Sequence, residues 1–212
     1  MTKLLSRREL NKERTRNAIL RAAREGFARE GVSGMTMDDI ASEADVSRTT
    51  LFNYFTGKGE ILDHLVMEMH EHFYARMEEC RASTADVEKR LVMAFSETGR
   101  LMENDAYRLQ PLVGYSWLRW NEAGIMGRIE RLTESFEELL DDGRERPSGE
   151  GPDLHAIAEI ATAVFIGMIH KWHLVPDFPL AQRLSDAAAW IMLMLQDAPE
   201  RAFAGGQNAF PA

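Results

Sequence analysis

Apolar positions recur at helical spacing along nearly all of the 212-residue chain, and no stretch alternates long enough to make a strand. The pattern predicts an all-α protein of about nine helices. The first apolar stripe, Ile19, Ala22, Ala23 and Phe27, belongs to a helix that starts at a Ser6–Glu9 capping box and ends at Gly31. Thr36, with Asp39 three residues on, caps a short second helix that turns Met37, Ile40, Ala41 and Ala44 inward. Asp45 and Val46 form a tight connection, and Ser47 caps a third short helix ending near Phe55. After Thr56-Gly57-Lys58-Gly59 a long helix runs over about 60–81, and others follow at about 84–103, 105–120, 121–142, 154–174 and 179–197. The clearest loop is Gly143 to Pro152. These elements group as a three-helix head at 1–60, a larger helical body at 61–200 and a flexible tail at 201–212. Head and body are expected to join inside the long fourth helix, so that the body can reposition the head.

Composition narrows the class. Cys80 is the single cysteine, which excludes an internal disulfide framework. The first residues lack the apolar run of a signal peptide, and the longest apolar stretch, Ala187 to Leu195, is too short to span a bilayer. A cytoplasmic protein with no membrane partner is expected. The net charge of −9 argues against nucleic acid until it is divided: residues 1–29 carry +6 and the remainder −15. A basic front on an acidic body fits a DNA-binding head, although a solvated basic helix would carry the same charge.

Two short helices joined by a tight turn and buttressed by a longer one can lay a recognition helix in the major groove. At about 100° per residue, Leu51 and Phe55 share one side of the third helix, where Val46 can join them. Thr49, Thr50 and Asn53 take the other, flanked by Phe52 and Tyr54. The groove accounts for such a face: hydroxyls and an amide address base edges, an aromatic ring meets a thymine methyl, and a tyrosine hydroxyl reaches a phosphate.

The ordered string Ile19, Ala22-Ala23, Phe27, Gly31, Thr36-Met37-Asp38-Asp39-Ile40-Ala41, Ala44-Asp45-Val46-Ser47-Arg48-Thr49-Thr50-Leu51-Phe52-Asn53-Tyr54-Phe55, Lys58 and Ile61-Leu62 resembles the TetR family of bacterial repressors over residues 15–63. The resemblance implies that Thr36 and Lys58 hold phosphates at the two ends of the motif. It implies that Arg48, Thr49, Thr50, Phe52 and Asn53 face the bases and that Tyr54 lies on the backbone. Thr49 departs from the glycine or small residue common in the family, which leaves its role less defined. Simpler uses stand beside these: Thr36 as a cap alone, Arg48 paired with an acid such as Asp45, Phe52 against the fourth helix, Lys58 as a loop lysine. Arg14 and Arg16 reach a phosphate or minor-groove edge, or lie on a solvated face.

The last two helices carry apolar residues around more than one face, from Ile157 to Trp172 and from Leu180 to Leu195. They look like the pair that TetR-like proteins use in a two-fold interface, here through Phe165, Met168, Trp172, Leu184, Ala188, Ile191 and Leu195; a buried monomeric core is the other reading. A dimer implies a near-palindromic operator in double-stranded DNA. The resemblance further implies a pocket for a small apolar or aromatic effector, for which Met93, Tyr107, Tyr115, Trp117, Trp120, Phe136, Phe165 and His170 are the candidates. Pro111 is expected to kink or break the sixth helix. The histidines form no convincing metal cluster, no cofactor fingerprint is present, and no nucleophile elbow, His-Glu-x-x-His or phosphate loop suggests an enzyme. A ligand-released repressor is therefore the expected function, with a constitutive DNA-binding regulator as the alternative.

Overall fold

The structure, a computed structural model, describes residues 6–118, 122–143 and 153–197. Among them the chain is helical: α1 Arg7–Gly34, α2 Met37–Glu43, α3 Arg48–Tyr54, α4 Lys58–Ser83, α5 Val87–Asn104, α6 Ala106–Leu118, α7 Glu122–Leu140, α8 Leu154–Leu174 and α9 Leu180–Asp197. The helices form two compact units, Met1–Glu71 with Asp105–Arg119, and His72–Asn104 with Trp120–Ala212. The division thus falls inside α4 and again on either side of α6. This differs from a head ending at residue 60: α6 belongs to the first unit, because Leu112 is buried in its core and Tyr115 packs against it.

In the first unit, local hydrogen bonds set the helix starts. Ser6 and Glu9 close a capping box, as do Thr36 and Asp39, and Ser47 accepts from the Thr50 N–H. Such closure matters for α2 and α3, since seven residues are too few to hold a helix without caps and packing. Ile19, Ala23 and Phe27 of α1 meet Met35, Ile40, Leu51, Phe55, Ile61 and Leu65 in one core. As the pattern predicts, α1 leaves helical geometry at Gly31, at φ 73° and ψ 165°, and only a short helical turn resumes beyond it to Gly34. That φ is open to glycine at little cost. α6, by contrast, runs through Pro111 without ending, with one backbone N–H fewer.

The second unit is held by larger surfaces. α5 packs on α9 and α8 lies against α7 and α9. At its centre the rings of Phe73, Phe95, Phe136 and Phe165 contact one another with centroids 5.2–5.5 Å apart. The buried hydroxyls of Thr133 and Thr162 satisfy each other at 3.0 Å. α8 is long and apolar enough to cross a membrane by length and composition. Here Ala158, Ala161, Phe165 and Trp172 take it into the core of the unit.

Candidate DNA-binding surface

α3 is fixed from behind and open in front. Leu51 and Phe55 are 0% and 1% exposed, and Val46 and Tyr54 pack against the same core. Arg48, Thr49, Phe52 and Asn53 face solvent, Phe52 with 41% of its surface free. The turn before α3 passes through Asp45 at φ 54°, a left-handed position that a short polar side chain tolerates better than a branched one. At seven residues α3 is about 10 Å long, comparable with the major-groove width of about 12 Å.

The polar residues around this face already have partners. Thr36 accepts from the Asp39 N–H at 3.2 Å while its own N–H and hydroxyl donate to the Asp39 carboxylate at 2.9 and 2.5 Å. Those donors hold the Asp39 carboxyl below its ordinary pKa. Thr36 is thus a cap, and an anion reaching its hydroxyl would compete with Asp39. Arg48 pairs at 2.7 Å with Asp38, rather than Asp45, and its guanidinium lies 5.6 Å from the Phe52 ring centroid. Asp38, which the sequence pattern did not single out, therefore aims Arg48 along α3. Thr50 is half-buried, its hydroxyl 2.8 Å from Ser47 Oγ, so it is turned toward the cap more than toward the open face.

Lys58 is not a loop lysine. It opens α4, and its ammonium donates to the carbonyls of Val32 and Met35 at 2.6 and 2.8 Å, fastening the end of α1. An ammonium has three donors, so one remains for a phosphate. Beside it, the Glu60 carboxylate accepts from the Thr56 N–H and hydroxyl at 2.6 and 2.9 Å, which lowers its pKa. Arg16 lies between His64, with Nη2 2.7 Å from Nε2, and the Phe55 ring, at 5.3 Å from its centroid.

The described pocket candidates divide between the two units. Tyr107 and Tyr115 stand on α6 in the first unit; Tyr107 is 55% exposed, and the Tyr115 hydroxyl is 3.1 Å from the Asp63 carboxylate. Phe136 and Phe165 fill the ring cluster of the second unit, where Met93 and His170 are half-buried on α5 and α8. The side chains of Trp117 and Trp120 lie outside the described residues.

The predicted interface residues divide differently too. Phe165, Trp172, Leu184, Ala188 and Ile191 are buried within their own unit, and Met168 and Leu195 are half-buried. The apolar side that α8 and α9 leave outward carries Trp190 and Leu193, 69% and 46% exposed, beside a groove of about 470 Å³ lined by Val164, Met168, Ala187 and Met194. A helix apolar around its circumference has two candidate inner faces; packing against α5 and α8 selects the one with Leu184, Ala188 and Ile191.

A helix-turn-helix locked to a three-helix core, with an arginine, a threonine, a phenylalanine and an asparagine on its open face, defines a DNA-binding transcriptional regulator. Residues 19–65 match the family model for bacterial regulatory proteins of the tetR family. The probable HTH-type transcriptional regulator ArpR of Pseudomonas putida is 32% identical over 198 residues, covering 84% of this chain and 89% of that protein. The chain belongs to the TetR family. Two solved structures share its fold at 24% identity each. One is SmeT, the repressor of the Stenotrophomonas maltophilia multidrug efflux pump SmeDEF, with a TM-score of 0.66 over 93% of this chain and 96% of that one. The other is Bacillus subtilis FadR in complex with stearoyl-CoA, with a TM-score of 0.62 over 84% and 96%.

Proposed function

We propose that the protein is a homodimeric transcriptional repressor that binds a near-palindromic operator through α3 and is released by a small apolar or aromatic ligand. The open face of α3, with Arg48 held by Asp38 and Asn53 exposed beside Phe52, is the observation that carries DNA reading. Selection of bound fragments from random or genomic DNA tests it. Arg48→Ala or Asn53→Ala should cost about 1–3 kcal/mol and relax base preference at one position per half-site. Thr49→Ala should do so less, and unchanged affinity in all three would reject α3 as the reading helix.

The second copy docks on the outward face of α8 and α9. Trp190 and Leu193 there supply an apolar patch, and the neighbouring groove can receive the partner's equivalent side chain in an isologous contact. Trp190→Glu should give a monomer in sedimentation experiments and weaken operator binding; a dimer that survives it uses another surface. The ligand class rests on the stearoyl-CoA bound by the FadR relative and on the apolar interior of the second unit. Thermal shifts with acyl-CoAs and planar aromatics, followed by operator release, test it. A uniformly flat response would favour constitutive binding.

A further inference from the structure

The first three turns of α1 carry cations that the fold does not use. Arg7, Arg8, Lys12 and Arg14 are exposed, and their side chains have no ion pair or hydrogen bond among the described residues. Elsewhere in the unit most arginines are paired: Arg24 with Glu68, Arg29 with Glu30 and Glu43, Arg48 with Asp38, and Arg108 with Glu25 and Asp105, Arg21 being the exposed exception. In a chain of net charge −9, a run of basic side chains without carboxylate partners is conspicuous.

Their azimuth is informative. Ile19, Ala23 and Phe27 mark the α1 face that enters the core. Lys12 and Arg8 stand two and three turns before Ile19, within about 20° of its direction and about 10 and 16 Å farther along the axis. The same helix face is therefore apolar where the core covers it and cationic where the core ends. Arg16, the next cation toward that side of the helix, rests on Phe55, the C-cap of α3, and on His64. The cationic face thus emerges beside the C-terminal end of the recognition helix.

The geometry points to a second DNA contact: Arg8 and Lys12 hold backbone phosphates flanking the segment read by α3. The inference rests on α3 being the reading helix. A helix lying in the major groove has a phosphate strand along each rim, and long cationic side chains just past its end meet that strand. Such contacts add affinity and salt dependence without base preference.

The test uses the full chain with Arg8→Ala and Lys12→Ala combined, on a duplex carrying the site that the wild type selects. The duplex is compared with one trimmed to the outermost specified base pair. Both substitutions are at exposed positions, so equal thermal stability serves as the folding control. On the longer duplex at about 0.15 M salt, affinity should fall on the order of tenfold. For a dimer on both half-sites the slope of log K against log salt should become shallower by about 3.6, at about 0.9 for each of four phosphate contacts. On the trimmed duplex wild type and variant should converge, and the selected sequence should not change. An unchanged slope on the longer duplex, with Asn53→Ala still impaired, overturns the flanking contact while leaving α3 in place. A changed base preference in the double variant also overturns it, since these side chains would then enter a groove. A wild type that selects no sequence removes the reading helix, and this contact with it.

Discussion

The two units are held together by different means. The first fastens its helix ends with polar groups: Ser6 with Glu9, Thr36 with Asp39, Ser47 with Thr50, Thr56 with Glu60, and Lys58 on two carbonyls. The second has caps of its own, Asp86 accepting from the Lys89 N–H and Asp153 from the Ala156 N–H, but adds broad helix faces, the four-ring cluster and a close approach of α5 to α9. Helix length explains the contrast. Helices of seven residues expose most of their end groups and need them satisfied individually, whereas helices of 18–21 residues are held by the area they bury. A reading head needs fixed end groups to hold side chains in register with bases. Under the proposed function, a body that accepts a ligand can instead shift packed faces.

The contrast is sharpest at two glycines. A Cβ on Gly99 would lie 2.9 Å from the Ala181 backbone nitrogen and closer still to its Cα, so α5 and α9 would have to separate. A Cβ on Gly26 would meet the end of the Met35 side chain, which can rotate. Gly99→Ala is expected to destabilise by about 2–3 kcal/mol and Gly26→Ala by under about 1 kcal/mol. Urea denaturation of both variants checks this. Equal losses would mean that the α5–α9 contact yields as easily as one side chain.

Lys58 probes the polar side of the comparison. Lys58→Met keeps the stem and removes two charge-assisted hydrogen bonds, which should cost about 1–3 kcal/mol without any DNA present. If stability is unchanged and only DNA binding falls, the carbonyl contacts contribute nothing, and the lysine serves phosphate alone.

This difference also governs what could be read in the amino-acid order. Caps at Ser6, Thr36 and Ser47 obey a three-residue rule, so local spacing revealed them, and the Leu51–Phe55 pair followed from helical periodicity. Lys58 reaches carbonyls 26 and 23 residues away, and Asp38 reaches Arg48 across a turn; neither follows from local spacing. Leu112 enters the head core from a helix about 50 residues beyond it, which placed the unit boundary out of reach. In α9, apolar residues on every side left the inward face undetermined, so Leu184, Ala188 and Ile191 were expected outward while Trp190 and Leu193 take that place.

Asp45 offers a smaller effect. At φ 54° its backbone is left-handed, so Asp45→Gly should be neutral or slightly stabilising, whereas Asp45→Val should cost about 1–2 kcal/mol. Thermal melts distinguish them, and a tolerated valine would show that the turn relaxes to another geometry.

The smallest effects come from titration, and they run in opposite directions for the capping carboxylates and for a histidine. Asp39 and Glu60 have pKa values below their ordinary 3.8 and 4.5, because Thr36 and Thr56 donate to their ionised forms. Their contribution is complete above those ordinary values and is lost as pH falls through the lowered folded values. His155 in the second unit is displaced the other way: a hydrogen bond with Glu137 at 2.9 Å raises its pKa above 6.5. Its contribution is complete below 6.5 and is lost as pH rises through the higher folded value. Asp39 and His155 are exposed and Glu60 is only half-buried, so shifts of the melting temperature should be slight. Asp39→Asn with Glu60→Gln should flatten the decline as pH falls below about 4.5, and His155→Gln the decline as pH rises above about 6.5. If each variant follows the wild type through its own window, these side chains do not couple protonation to folding. If His155→Gln instead alters the acid window, the histidine acts through a partner other than Glu137.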